Sequence, residues 1–379
     1  MVIKVAHIIT RLDLGGAQQN TLYTVSHLDA SRFKALLICG PGGILDGEAP
    51  APIFVPDLVR EIRPWKDLRA FFDLYKILQR ERPQVVHTHS SKAGILGRLA
   101  ARCAGVPVII HTFHGFGFHG RQRWWIRWPY VFAEKLCAKF SSALIFVSRA
   151  NQEEAARLGL GETRRHALIR SGIKLADFQA RTDASLKKKE LGLAPETPLI
   201  LSVGNLKPQK NPQDFLSAAR IVSQQRPDAA FVFVGEGPLR PKIESAASGL
   251  PCRFLLPGWR RDVPELLAAC DIFVLTSLWE GLPRALVEAM KSGKPCVCYA
   301  TDGVRDIVCD GENGFLVPAG DAPALARKIL DLLSDADRRR EMGKAAAASI
   351  SQEFDIDLMV QRQEEVYQHL IKYGKYEKA

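Results

Sequence analysis

Short apolar, β-branched runs alternate along this chain with longer stretches whose apolar residues recur every three or four positions. In the first half the runs are Val2–Ile9, Ala35–Cys39, Val85–His89, Val108–Thr112 and Leu144–Ser148, each read as a buried strand. Between them Leu68, Phe71, Phe72, Tyr75 and Leu78 fall at helical spacing, and Leu22, Val25 and Leu28 do so more weakly. The rhythm breaks over residues 174–197, where a Lys-Lys-Lys run and small polar residues predict a linker carrying a short polar helix. It restarts with Pro198–Gly204, Phe231–Gly235, Phe254–Leu256, Ile272–Thr276, Pro295–Ala300 and Phe315–Val317, and from about Ala322 the chain reads as charged helix. Strand–helix alternation at this spacing means βαβ units. The expected fold class is α/β, with two doubly wound, Rossmann-like parallel-sheet domains facing across a cleft and ligands at the carboxyl ends of the strands.

A length of 379 residues with 47% hydrophobic and 25% charged residues fits two or three globular domains and excludes a disordered or fibrous chain. Lys+Arg exceed Asp+Glu by 52 to 41, a net +11 that favours an anionic partner without choosing among nucleic acid, membrane and phosphorylated small molecules. No apolar run approaches the ~18 residues of a membrane span. The opening MVIKVAHIIT is too short before Arg11 and Asp13 for a signal peptide, so the expectation is a cytoplasmic protein whose membrane contact is peripheral. Eight scattered cysteines form no CxxC and read as small core residues.

The densest chemistry lies in DIFVLTSLWEGLPRALVEAMKSGKPCVC. A strand is expected to end at Thr276, a loop to hold Trp279, Glu280 and Gly281, and a helix to run from about Leu282 to Lys291 with Pro283 in its first turn. That arrangement would aim the amides near Gly281 and Leu282 at an anion from the positive end of a helix. On a continuous helix Glu288 would lie about 80° round and roughly 12 Å along from Glu280. A diphosphate bearing a sugar at one end and a nucleoside at the other has about that reach. The apolar stripe of the helix is Leu282, Leu286 and Ala289.

The segment EGLPRALVE closely resembles the E-x7-E signature of retaining glycosyltransferases of the GT-B fold, family 4 (glycosyl transferases group 1). GGAQQN, HTFHGFGFH, VSRANQE, SGIKLADF, VGNLKPQKNP, VFVGEGPLR, LPGWRRDVPELLAACDIF and GENGFLVPAGD extend the resemblance, in order, over nearly the whole chain. It implies transfer of a hexosyl-type sugar, with retention, from a UDP- or GDP-type sugar to a glycan or polyprenyl-linked acceptor. Members with an HTxHGFGFH-like segment are often bacterial enzymes of capsule, exopolysaccharide or lipopolysaccharide assembly. The implied domains are 1–180 on the acceptor side, with the C-terminal helix 356–379 packing back on it, and 181–355 on the donor side. Glu288 is then expected to hold the ribose and Glu280 the sugar. Lys210 and the amides of Gly281 and Leu282 would stabilise the departing diphosphate without a metal. In VGNLKPQKNP the family's arginine after Gly204 is replaced by Asn205, which removes one fixed charge from the donor clamp that Lys207 could replace.

Gly15 and Gly16, after the first strand, allow close approach of backbone to a ligand. They do not make a GxGxxG, and no acidic residue ends the next strand, so the dinucleotide fingerprint is absent. The resemblance places this loop opposite the diphosphate. His87 or His89, with His111, His114 and His119, matches no usual zinc spacing. By resemblance His114 faces the transferred sugar; His111 is expected in the core or at a sheet edge, and His119 is a weaker acceptor-side candidate. Trp259 and Arg260 fall where the family lines the nucleobase pocket, leaving Arg260 as either a donor contact or surface charge. Asp355-x-Asp357 begins the last helix rather than following a strand and is discounted as a metal motif. Arg121, Arg123 and Arg127 interleave with Trp124, Trp125, Ile126 and Trp128, either as a face for anionic membrane or as helix–sheet core with solvated arginines. Two other functions are open on sequence: a GT-B nucleotide-sugar epimerase, and a non-catalytic nucleotide- or nucleic-acid-binding module, the latter disfavoured because only residues 121–128 mix basic and aromatic residues.

Overall fold

The computed structural model describes residues 2–120, 122–178 and 183–374. The chain divides into two units, Met1–Gly172 with Ile356–Ala379, and Ile173–Asp355.

The first unit is built on β1 (Ile3–Arg11), β2 (Phe33–Gly40), β3 (Ile53–Phe54), β4 (Val85–His89), β5 (Val108–Phe113), β6 (Ala143–Phe146) and β7 (His166–Leu168), all parallel in the order β3-β2-β1-β4-β5-β6-β7. Its helices are α1 (Gly16–His27), α2 (Pro64–Glu81), α3 (Ser91–Cys103), α4 (Trp124–Phe140) and α5 (Arg149–Leu158). The second unit contributes α6 (Ala184–Glu190), α7 (Pro212–Val222), α8 (Arg240–Ala247), α9 (Val263–Ala269), α10 (Arg284–Lys291), α11 (Ala322–Ser334) and α12 (Ala336–Ser349). They surround β8 (Leu199–Val203), β9 (Ala230–Val234), β10 (Arg253–Leu255), β11 (Ile272–Leu275), β12 (Cys296–Tyr299) and β13 (Gly314–Val317), parallel in the order β10-β9-β8-β11-β12-β13. The last helix, α13 (Ile356–Tyr373), packs through Met359, Val360, Tyr367 and Leu370 into the core of the first unit.

Both strand orders reverse direction once, between β1 and β4 in the first unit and between β8 and β11 in the second. Loops leaving the carboxyl ends of the two strands at such a switch point diverge and leave a crevice. The strands are near-continuous runs of Val, Ile, Leu and Phe because helices cover both faces of each sheet. Caps fix several helix starts: Ser148 accepts the Asn151 N–H at 3.2 Å, and Asp321 accepts the Ala324 N–H at 2.8 Å.

All eleven predicted strands are present within a few residues. β3 and β7, with two and three residues, are too short to carry a period and were not predicted. Helix α2 forms as expected but buries Ala70, Leu74 and Leu78, leaving Leu68 and Phe72 exposed. The domain boundary falls at Gly172/Ile173 rather than at 180. Gly172 lies so close to Ile356 that a Cβ would sit 2.4 Å from its Cα, while the Ile173 N–H bonds the Phe354 carbonyl at 2.9 Å. The expected linker is largely built structure: α6 packs on α9, with Lys187 Nζ 2.6 Å from Asp262 and Lys188 Nζ 3.2 Å from Asp271. The part of that linker at 179–182 lies outside the described residues.

Candidate active site

At the switch point of the second unit the β8–α7 and β11–α10 loops are stitched together. The Leu278 N–H donates to the Gln209 carbonyl at 2.8 Å, Gln209 Nε2 to the Trp279 carbonyl at 2.9 Å, and Thr276 Oγ1 to the Lys210 carbonyl at 2.8 Å. This lattice brings the Lys210 ammonium against the Glu280 carboxylate in an ion pair that is largely buried. The Glu280 N–H is held by the Asp302 carboxylate at 3.0 Å. Gly204 leaves space for the lysine stem, since a Cβ there would meet its Cδ and Cε at 3.3 Å. Gly235 must be glycine: its φ is +143° and a Cβ would lie 1.9 Å from the Gly204 carbonyl oxygen. Asn211 and Asp302 hold positive φ angles of 47° and 21° without being glycine, local strain of the kind concentrated at functional sites.

The frame of the glutamate pair differs from expectation. Helix α10 starts at Arg284 with Pro283 as its N-cap, so Glu280, Gly281 and Leu282 belong to the preceding loop and the first-turn amides begin at Arg284. The separation derived from one continuous helix therefore does not apply. Glu280 is placed by the loop lattice, and Glu288 by α10. Both are buried, Glu288 within 3.2 Å of the Arg284 guanidinium. Arg260 stands in a different cluster. Its fork is engaged by Asp262 at 2.7 and 2.6 Å and by Glu190, and those carboxylates raise its pKa. Asn205 and Lys207 occupy the same β8–α7 loop as Lys210.

In the first unit the loop carrying Gly15 and Gly16 leads directly into α1 at the switch point. Gly15 is extended, with φ 178°, so the backbone itself does not demand glycine there. Ser90, with φ +61°, ends β4 beside it and its Oγ lies 2.8 Å from Thr10 Oγ1. Next to this strained corner is a row of buried imidazoles: His7 Nδ1 is 3.1 Å from His89 Nε2, and His89 Nδ1 is 3.2 Å from His114 Nε2. His87 places its ring nitrogens 2.5 Å from Tyr367 Oη and 2.7 Å from Thr112 Oγ1. Sequence reading missed His7, Tyr367, Asp302 and Gln209. The signal for the histidines was the i, i+2 spacing of His87 with His89 and of Thr112 with His114, which puts all four on one sheet face.

His7, His87 and His89 have nitrogens near enough to share an ion. Their geometry is that of hydrogen bonds. The His7 and His89 rings are nearly coplanar at 9° with centroids 5.4 Å apart, so the 3.1 Å N···N vector runs along the line of ring centres. Two ligands of one zinc would instead point at a common apex ~2.0–2.1 Å from each nitrogen. Both nitrogens of His87 are already taken by hydroxyls.

His111 is buried in the middle of the sheet, not at its edge, against Gly94, where a Cβ would come within 2.4 Å of the ring. His119 lies in the loop after β5. The Asp357 carboxylate accepts from Tyr23 Oη at 2.5 Å and serves helix packing. Trp124, Trp125, Ile126 and Trp128 are exposed, Trp124 by 69%, whereas the buried side of α4 is Val131, Glu134, Cys137 and Ala138. The core alternative for these tryptophans is therefore excluded. Arg127 is half-buried beside Glu154 at 3.3 Å, and Arg123 stacks over Trp125 at 5.0 Å. Arg121 lies outside the described residues. Six cysteines are buried, while Cys103 and Cys309 are exposed, and all eight are free thiols.

Comparison with known proteins agrees with this architecture. The family model "Glycosyl transferase 4-like domain" matches residues 15–171, and "Glycosyl transferases group 1" matches 183–349. The chain is 36% identical over 342 residues, 88% of each chain, to the UDP-Gal:alpha-D-GlcNAc-diphosphoundecaprenol alpha-1,3-galactosyltransferase of Escherichia coli. It is 30% identical over 322 residues, 82% of this chain and 84% of the other, to the N,N'-diacetylbacillosaminyl-diphospho-undecaprenol alpha-1,3-N-acetylgalactosaminyltransferase of Campylobacter jejuni. In fold it is similar to Anabaena HepE in complex with UDP-glucose, with a TM-score of 0.82, 23% identity, and coverage of 97% of this chain and 100% of that one. The chain belongs to the glycosyl transferases group 1 family: it is a glycosyltransferase of GT-B fold. Neither the epimerase nor the nucleic-acid-binding alternative finds support among these relatives.

Proposed function

We propose that this enzyme transfers a hexosyl-type sugar, with retention, from a uridine-diphosphate sugar to a polyprenyl-diphosphate-linked acceptor in cell-surface polysaccharide synthesis. The observation that carries the reading is the buried Lys210–Glu280 pair at the switch point, taken with two relatives whose names specify undecaprenyl-linked acceptors. The pair sorts its own ligands. An ammonium has three donors and suits phosphate oxygens, whereas an ionised carboxylate only accepts and so suits sugar hydroxyls. Lys210, with the loop amides around Gly281 and Leu282, faces the charge that develops on the departing diphosphate, and Glu280 orients the sugar. Glu288 on α10 accepts from the ribose hydroxyls. Gly15 and Gly16 line the acceptor side, and His114 meets the transferred sugar. Arg260 is left out of this donor set because Asp262 and Glu190 occupy its fork.

Incubation with UDP-sugars and a short polyprenyl-diphosphate-GlcNAc should release UDP only when acceptor is present, with an α-linked product. Release without acceptor, or an inverted product, would overturn the reading. The same reaction should run at an unchanged rate in EDTA, because Lys210 supplies the cation at the diphosphate. Loss of turnover on chelation with recovery on adding magnesium or manganese would remove the metal-independent part.

A lipid-linked acceptor requires the enzyme to meet a membrane, and we place that contact on the α2–α4 layer of the first unit. No helix among the described residues is long and apolar enough to cross a membrane. Besides the α4 tryptophans, Phe132 and Leu136 are exposed on α4, and Ile62, Trp65, Leu68 and Phe72 on or beside α2, Trp65 by 79%. Exposed Arg63, Arg69, Lys76 and Arg123 accompany them. Aromatics with interleaved cations fit an anionic leaflet, on the inner face of the plasma membrane. Because the tryptophans are outside the core, the variant Trp124→Ala/Trp125→Ala/Trp128→Ala should stay folded and lose binding to phosphatidylglycerol vesicles by about tenfold or more, in a salt-sensitive way. Wild-type vesicle sedimentation by that folded variant would refute the contact.

A further inference from the structure

We infer that Tyr299 and Asp214 are positioning residues for Lys210: through Asn211 they hold the backbone turn that brings its ammonium to Glu280. What Lys210 does for turnover rests on the proposed function; how it is held does not.

The turn is an unfavourable one. Asn211 follows Lys210 directly and sits at φ 47°, ψ 56°, in the left-handed region that L-residues seldom adopt. Pro212 comes next and disfavours the right-handed helical conformation at the residue before it. The alternative for Asn211 is therefore extended backbone, which sends the chain in another direction. Helix α7 cannot follow such a change, because buried Pro212, Phe215, Leu216 and Ala219 anchor it in the second unit. The segment that would move is the one carrying Lys210.

The turn is held from the sheet. Asn211 is the N-cap of α7, yet its side chain accepts no hydrogen bond from the helix amides, the usual work of an N-cap asparagine. Its Nδ2 instead donates to Asp214 Oδ2 at 2.6 Å, while the Asp214 N–H donates to the Asn211 carbonyl at 3.1 Å. The same Oδ2 accepts from Tyr299 Oη at 2.7 Å, across 85 residues of sequence. Tyr299 is wholly buried at the end of β12. Burial and the Asp214 carboxylate push its hydroxyl up, so it stays protonated and remains a donor. A buried hydroxyl is costly unless it is bonded, and phenylalanine would fill the same core space without one. Tyr299 thus fixes Asp214, and Asp214 fixes Asn211. On the other side Thr276 Oγ1, just beyond β11, donates to the Lys210 carbonyl at 2.8 Å. The lysine backbone is pinned from the ends of two strands while its ammonium pairs with Glu280.

The test is competitive acetylation of the full chain without substrate, read at each lysine by peptide mass spectrometry. In wild type Lys210 should react slowly, because its ammonium is held against Glu280 and largely shielded. Tyr299→Phe, which removes only the hydroxyl, should raise the Lys210 rate by about fivefold or more through local opening. Buried Lys188, paired with Asp271 elsewhere in the same unit, should keep its rate within about twofold, whereas general loosening would speed both. Tyr299→Phe should also lower kcat/KM for the UDP-sugar by about tenfold. In the Lys210→Met background it should lower it by less than about twofold, since effects passed through one residue do not add. Asn211→Ala, a half-buried loop position, should reproduce both results and carries the test where the phenylalanine variant does not fold. An unchanged Lys210 rate in the folded variants overturns the inference, as does equal acceleration of Lys188 or an equal loss of kcat/KM in both backgrounds. A faster Lys210 with wild-type turnover would uphold the placement and remove the lysine from the chemistry. Because the labelling needs no turnover, it separates failure of the placement from failure of the sugar-transfer reading.

Discussion

Lys210→Met should lower kcat/KM for the nucleotide sugar by about 10²–10³-fold, the loss expected when one preorganised group facing a developing oxyanion is removed. The other cation of the β8–α7 loop is Lys207. The family's arginine position is Asn205, and Arg260 is committed to Asp262 and Glu190. Two effects will be mixed in that variant, because the Glu280 carboxylate is left buried without its ammonium. Orphaning a buried charge costs ~3–5 kcal/mol, so the thermal transition of the second unit should fall as well. The double variant Lys210→Met/Glu280→Gln separates the two, since it removes the orphaned charge. Its stability should return toward wild type while its turnover stays low. Single-turnover rates and a melting curve on the same preparations read both quantities. A Lys210→Met enzyme that turns over normally would remove the lysine from the chemistry.

The sheets were legible because a parallel strand covered on both faces has a signature that survives without context. Runs such as AFVFV and DIFVL admit few other readings, and the strand–helix alternation fixes the topology once connections are right-handed. What failed to show was whatever depends on where a residue lands in three dimensions. The apolar spacing of Leu68, Phe71, Phe72, Tyr75 and Leu78 announced a helix correctly, and Phe71, Tyr75 and Leu78 pack on the core, but Leu68 and Phe72 do not. Ala70, Leu74 and Leu78 form the buried line of α2, Phe71 and Tyr75 flank it half-buried against the core, and Leu68 and Phe72 turn outward. A hydrophobic stripe cannot declare whether its partner is a core or a lipid. Similarly the helix is expected from about Leu282 with Pro283 in its first turn, because proline suits that position; the chain instead uses Pro283 as the cap, and Leu282 joins Glu280 and Gly281 in the loop.

The candidate site divides along the same line. Lys210 and Glu280 are 70 residues apart, and only the β8/β11 adjacency at the switch point makes them neighbours. Each could be picked out by its motif, but their pairing could not. The row from His7 to His114 spans three strands in the same way. By contrast, the ion pairs that immobilise Arg260 include Glu190, from a segment read as linker. A charged residue's availability depends on partners that are distant in sequence, and that is where motif reading overcounts ligands.

Glu280→Gln and Glu288→Gln should fail in opposite ways. Glu288 is expected to accept from two ribose hydroxyls, charge-assisted bonds worth ~1.5–3 kcal/mol, so its amide should weaken UDP and UDP-sugar binding by roughly 10–150-fold and raise KM with little change in kcat. Its neighbour Arg284 remains in place on the same helix turn, so the fold should hold. Glu280 acts otherwise, because in the unliganded enzyme it neutralises Lys210. Replacing it by glutamine releases the ammonium and removes a negative charge beside the diphosphate, so UDP alone should bind as tightly as in wild type or a few-fold tighter. Turnover should nevertheless fall by about 10–100-fold, since the sugar loses a contact that matters most as its bond to phosphate breaks. Calorimetry with UDP and initial rates with the UDP-sugar distinguish the two patterns on the same protein. Weaker UDP binding in Glu280→Gln would mean that the carboxylate holds the nucleotide rather than the sugar. Wild-type rates and affinities in both folded variants would leave the E-x7-E pair without a role in the reaction.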